Sequence, residues 1–154
     1  MTLDSKPQIG LLIVDLDNTL WDWLTPWSKA MTQLLNEIST QTSVPLDKLN
    51  QEVRALHQTK GTVEYSFFVS ELPSLRPFIQ GATAKARYKN ARATFDKALH
   101  RYYSTMAHET QLYPSVLSTL LTIRAAGVTI VAYSESGAFH ARRRVKRNGL
   151  DGVI

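Results

Sequence analysis

The feature that most constrains the fold lies near the start of the chain. A run of six residues without a polar side chain, Ile9-Gly-Leu-Leu-Ile-Val14, stops abruptly at Asp15-Leu-Asp-Asn-Thr19. A short, unbroken apolar stretch rich in branched residues suits a strand buried on both faces, the kind found in parallel sheets. The residues that follow favour turns and caps. A strand ending in acids is informative, because open α/β sheets bind ligands at the carboxyl ends of their strands. A second run of the same kind, Val128-Thr-Ile-Val-Ala-Tyr133, ends at Ser134-Glu-Ser-Gly137.

Between these runs the pattern is helical. Thr25-Pro26 reads as an N-cap followed by proline at the first helical position. Trp27, Ala30, Met31, Leu34, Leu35 and Ile38 then recur at spacings of three and four. A second helix follows Pro45 with Leu49, Val53 and Leu56 on one face, and a third covers about 62–72, closed by Pro73 and Pro77. A fourth runs over about 82–106, with Ala91, Phe95, Ala98, Leu99, Tyr102 and Met106 as its apolar face. Pro114 opens a further helix with Leu117, Leu120 and Leu121 inward, and Gly127 fits a left-handed C-terminal cap. A basic helix over about 138–148 closes at Gly149, and Leu150-Asp-Gly-Val-Ile154 reads as the run-in to a third strand. The order predicts an α/β fold, a doubly wound, Rossmann-like parallel sheet formed by 1–22 and 110–154, with a helical insertion over 23–109. Two strands and a stub are too few to bury both faces of a parallel sheet.

The 154 residues suit one compact domain or a small domain carrying an insertion, and 44% apolar with 20% charged is an ordinary globular balance. No apolar run approaches the roughly 18 residues that cross a bilayer. The opening Met1-Thr-Leu-Asp-Ser-Lys6 lacks a signal-peptide layout, and the chain has no cysteine, which excludes disulfides, a thiol nucleophile and Cys-ligated metals. A cytoplasmic protein without a membrane partner is the default reading. The net charge of +5 and pI near 9.6 would suit phosphorylated small molecules or nucleic acid. Much of the excess sits in Arg142-Arg143-Arg144-Val145-Lys146-Arg147, which reads as the solvated side of a helix, so nucleic acid is the minor expectation.

The acids carry the chemistry. A carboxylate at Asp15 can attack phosphorus in line and split hydrolysis into two steps through an aspartyl-phosphate. A second carboxyl at Asp17 can protonate the leaving oxygen and then activate water. The competing reading is that the two acids form an Asx-turn or a helix cap. Trp21, Trp23 and Trp27 read as packing residues rather than a substrate platform. His57, His100, His108 and His140 show no metal-ligand spacing.

Asp15-Leu16-Asp17-Asn18-Thr19 after an apolar strand resembles the first motif, Asp-x-Asp-x-Thr, of the haloacid dehalogenase (HAD) superfamily. Val131-Ala-Tyr-Ser134-Glu-Ser resembles the second motif, and Leu112-Tyr-Pro114 resembles the approach to it. Many relatives carry Thr-Asn where this chain has Ser134-Glu135; the hydroxyl is kept and a negative charge is added. The resemblance, over 9–22 and 112–154, implies a HAD-like core with a helical cap at 23–109. It implies a magnesium-dependent phosphatase acting on a small phosphate monoester. Asp15 would be the nucleophile and Asp17 the acid and base. Magnesium would be held by the Asp15 side chain and the Asp17 carbonyl, with Thr19 bracing the loop. The phosphoryl oxygens would meet the Ser134 hydroxyl and the adjacent N–H groups at Glu135. A phosphomutase, a dehalogenase, or a non-catalytic or nucleic-acid-binding relative are the alternatives. The family's lysine and later acidic pair have no counterpart here, which implies a chain that stops short of them and is inactive alone, or a short form that has lost catalysis. An incomplete sheet would also leave an edge open to self-association.

Overall fold

The computed structural model describes residues 9–154, so the polar leader lies outside the described residues. The chain divides into two compact units, one of residues 9–26 and His108–Ile154, the other Trp27–Ala107. In the first unit β1 (Leu11–Val14) pairs in parallel with β2 (Thr129–Ala132), Leu11 opposite Thr129 and Val14 opposite Ala132. The pairing extends through Thr129 N–H to the Gly10 carbonyl at 3.0 Å and Tyr133 N–H to the Val14 carbonyl at 2.8 Å. Because the strands are parallel neighbours in register, the loops after Val14 and after Ala132 leave the sheet at the same end. The fold is mixed α/β with a small parallel sheet, as the order of elements predicts.

The burial of the strands is a correction to the sequence reading. Both are clad on one face only: Ile9, Leu11, Ile13, Val131 and Tyr133 are exposed, with Ile13 at 63% and Tyr133 at 68%, whereas Ile130 on the opposite face is buried. The helix before β2, here α6 (Val116–Ala125), buries Leu120 but leaves Leu117 and Leu121 exposed, against the expectation that all three face inward. The C-terminal segment is not the start of a strand. Val153 N–H and Ile154 N–H return to the Leu150 carbonyl at 2.9 and 3.1 Å, making a turn that buries Leu150 and Val153. Gly127, at φ 84°, closes α6 as expected: its N–H reaches the Arg124 carbonyl at 2.9 Å. No helix among the described residues is long and apolar enough to cross a membrane.

The second unit is helical. α1 (Leu24–Thr42) and α2 (Leu46–Lys60) bury the expected stripes, Ala30, Met31, Leu34, Leu35 and Ile38 on the first, Leu49 and Val53 on the second. Each fully buried Leu or Ile contributes roughly 1.5–3 kcal/mol, so this apolar cluster outweighs what the half-clad sheet can supply. The expected third helix is instead a single turn, α3 (Phe68–Glu71), followed by a 3-10 helix, Pro73–Phe78. Pro73 opens that helix and does not close its predecessor, and Glu52 of α2 accepts from Ser74 N–H at 3.0 Å. The expected fourth helix divides at Phe95 into α4 (Ala84–Thr94) and α5 (Asp96–Glu109). Phe95 departs from helical geometry (φ −111°, ψ 27°) and is buried together with Ala91, Ala98 and Leu99. Helix–helix packing thus overrides one long periodic pattern.

His57 is buried in this core, as are two hydroxyl residues, Thr42 and Ser70. It is buried between Trp27 and Phe68, with ring centroids 6.3 and 5.9 Å away, and its Nε2 is buried with no hydrogen-bond partner. Burial lowers its pKa below the ordinary 6.5, since the imidazolium would lose its hydration. The unfolded chain therefore binds the proton first as pH falls, and the folded state is penalised from about 6.5 downward. Urea unfolding at pH 7.5 and 5.5 should show a loss of stability on acidification that shrinks in His57→Leu. An equal pH response in both proteins would contradict the burial argument.

Candidate active site at the ends of the two strands

The chain after β1 is shaped by its own side chains. Leu16 and Leu20 are buried, and the Leu20 carbonyl accepts from Tyr113 N–H at 2.9 Å. Asn18 sits at φ 58°, a left-handed conformation that asparagine tolerates better than most residues. Its Oδ1 accepts from Trp23 N–H and Leu24 N–H at 3.1 and 3.0 Å, which caps the start of α1. Asp22 accepts from Thr25 N–H at 3.0 Å, and this bond, then the Thr25 hydroxyl, lowers its pKa. The cap is therefore supplied by Asn18 and Asp22, not by Thr25 as the sequence reading had it. Thr19 Oγ1 donates to Asp15 Oδ2 at 2.9 Å, so it braces the exposed Asp15 carboxylate.

Asp17 has a denser environment. Its Oδ1 accepts from the buried Trp21 indole Nε1 at 2.6 Å and from Arg144 Nη1 at 2.6 Å. Its Oδ2 accepts from Ser136 Oγ at 2.6 Å and again from Arg144 Nη1 at 2.5 Å. Three segments thus meet on one carboxylate: the loop after β1, the loop after β2, and α7 (Ala138–Arg147). Arg144 Nη1 also reaches Ser136 Oγ at 3.3 Å, and its guanidinium lies 6.0 Å from the Trp23 ring.

Among the residues expected at the site, Asp15 and Asp17 stand together at the end of β1. Ser134 and Glu135 stand at the end of β2, but neither is brought onto the acids by a hydrogen bond that defines this cluster. The Ser134 hydroxyl accepts from Ser136 N–H at 3.1 Å and so shapes the loop. The Glu135 side chain is exposed. The residues that hold Asp17 are Trp21, Ser136 and Arg144, which the sequence reading assigned to packing, to the loop and to a solvated helix face. A signal for Arg144 did exist. His140, Ala141, Arg144, Val145 and Asn148 form a helical stripe that is half-buried, while Arg142, Arg143, Lys146 and Arg147 are exposed. The periodicity places one arginine of the run on the inward stripe.

The donor set suits magnesium only in part. Asp15 offers an exposed carboxylate, and a main-chain carbonyl at Asp17 is the second hard oxygen; such ions take one or two carboxylates plus phosphate and water. The Asp17 side chain does not fit that role, because it is paired with a guanidinium. Among the described residues no three His, Cys, Asp or Glu side chains cluster as metal ligands.

Neither a protein-family model nor a curated protein sequence matches the chain. Solved structures do. A predicted phosphoglycolate phosphatase from Haemophilus somnus 129pt superposes with a TM-score of 0.55 and 17% identity, over 96% of this chain and 61% of that one. A 2-haloacid dehalogenase from Pseudomonas syringae pv. Tomato DC3000 gives a TM-score of 0.56 at 24% identity, over 96% of this chain and 62% of that one. The fold is HAD-like, with a two-stranded parallel sheet among the described residues. The chain spans about three fifths of the length of these solved structures.

If the indole anchors Asp17, a double-mutant cycle of Trp21→Phe with Asp17→Ala should show about 1–2 kcal/mol of coupling, the worth of a hydrogen bond to a charged group in a partly exposed site. Additive losses in thermal or urea unfolding would show that the ring acts by packing alone.

Proposed function

We propose that this chain carries the nucleophile of a magnesium-dependent phosphatase that hydrolyses a small phosphate monoester through an aspartyl-phosphate. One observation carries the reading: the two loops after the parallel strands converge, with Ser136 Oγ on Asp17 Oδ2, while Asp15 stands exposed at the end of β1. The HAD-like fold supports an enzyme of this general kind. The helical unit Trp27–Ala107 is proposed as the cap, which would close over the site and exclude water.

In this scheme Asp15 attacks phosphorus, the bond from phosphorus to the ester oxygen breaks, and the departing oxygen takes a proton from Asp17. Water then attacks the aspartyl-phosphate, Asp17 accepts its proton, and Asp15 is released with inorganic phosphate. Ser134, with the N–H groups near Glu135, is proposed to hold phosphoryl oxygens as charge builds. Magnesium, when bound by the Asp15 carboxylate and the Asp17 carbonyl, would offset negative charge on the phosphate.

A phosphomutase would use the same acid pair, and the geometry does not separate it from a phosphatase. A dehalogenase is the weaker alternative, because halide displacement needs no second acid and this fold invests several hydrogen bonds in Asp17. Each strand of the two-stranded sheet keeps one edge unpaired, which supports self-association by edge pairing.

In the full-length protein, Asp15→Asn should reduce hydrolysis of p-nitrophenyl phosphate to background while the circular-dichroism spectrum is unchanged. Activity that survives this substitution would rule out the covalent route.

A further inference from the structure

We propose that Arg144 is the cation that recognises the phosphoryl group at this site, exchanging the Asp17 carboxylate for phosphoryl oxygens when a monoester binds. The inference rests on the phosphatase reading of Asp15 and Asp17 and adds a residue to it. Of the cations on α7, Arg144 is the one drawn inward, with its side chain 13% exposed and ion-paired to Asp17. A carboxylate offers about four lone-pair positions. On Asp17 these are met by Trp21, Ser136 and two contacts from Arg144. With these positions occupied, an Asp17 oxygen can take up a proton, and so later pass one to a leaving group, only after a donor withdraws.

The three donors differ in their freedom to do so. The Trp21 indole is fully buried and fixed at the start of its own segment. Ser136 is held by its N–H to Ser134. Arg144 projects on a long side chain from a helix that buries no residue of its own. Its withdrawal would uncover the Asp17 carboxylate, and an anion arriving at the site would draw the guanidinium across. A phosphoryl group is such an anion: it carries at least as much charge as the carboxylate, and its oxygens match the guanidinium fork. Ligand binding and release of Asp17 are then one event. The acid becomes available when there is a monoester to protonate, and an acid-lined site that would repel an anionic substrate acquires its counter-charge.

The test uses the 154-residue chain with inorganic phosphate as the probe. Calorimetry should give phosphate binding that weakens at least tenfold in Arg144→Gln, falls less in Arg144→Lys, and changes less than twofold in Arg143→Gln, whose side chain is exposed. The lysine variant keeps the helix charge and so covers the case in which the glutamine variant fails to fold. In the wild-type chain, saturating phosphate should move the Asp17 carboxyl carbon and the Arg144 side-chain nitrogen resonances together. No phosphate binding by the wild type, equal affinity in folded Arg144 variants, or an unmoved Asp17 resonance would each overturn the exchange. Failure is separable from that of the phosphatase reading. Arg144-dependent phosphate binding with no turnover by the full-length product would sink the phosphatase alone, and turnover with Arg144-independent phosphate affinity would sink the exchange alone.

Discussion

The carboxylate of Asp17 is the point on which the first unit is organised. A charge taken largely out of water costs several kcal/mol unless it is paired and hydrogen-bonded. Here the pairing partners come from places far apart in the chain: Trp21 four residues on, Ser136 beyond β2, and Arg144 on α7. Each donor fixes a segment. The indole sets the loop after β1, the serine ties the loop after β2 to it, and the guanidinium holds α7 at the strand ends. Thr19 adds a separate brace on Asp15, so the exposed acid is positioned by bonds that leave Asp17 out.

Against this polar hub the apolar support is uneven. The helical unit buries most of its stripes, with Leu34, Leu35, Ile38, Leu49, Leu72, Leu75 and Phe95 in one cluster and Trp27, Leu56 and Tyr102 partly buried against it. The sheet does not: one face carries Ile9, Leu11, Ile13, Val131 and Tyr133 in the open. Exposed apolar patches of that kind mark interaction surfaces, ligand grooves or aggregation liabilities. The site's geometry therefore depends more on hydrogen bonds to Asp17 than on sheet packing.

Much of this was legible in the sequence, and the failures have physical causes. The strand ending at Asp15 and the helical stripe from Ala30 to Ile38 followed from run length and periodicity. The parallel pairing followed from the long helical crossover between the strands. An unbroken apolar run such as Leu11–Val14 was read as buried on both faces, but its composition does not state how many layers are present to cover it. Phe95 lies within an unbroken helical period, and the helix divides where its backbone leaves helical geometry and its ring enters the apolar cluster. At the site, the two acids alone read equally as an Asx-turn or a cap, and covalent phosphoryl chemistry is what the resemblance of Asp15-Leu-Asp-Asn-Thr19 to the HAD motif implies. The donors to Asp17 were not identified, because contacts such as Ser136–Asp17 and Arg144–Asp17 span more than a hundred residues. Local pattern holds a trace of one of them, the inward stripe through Ala141, Arg144 and Val145.

In the proposed scheme Asp15 bonds to phosphorus and Asp17 carries the proton. Borohydride trapping during turnover of p-nitrophenyl phosphate by the full-length protein tests that division most directly, since reduction of an aspartyl-phosphate converts the aspartate into homoserine. Peptide mass spectrometry should then find homoserine at position 15 and unmodified aspartate at position 17. Homoserine at position 17, or continued turnover with neither residue modified, would contradict it.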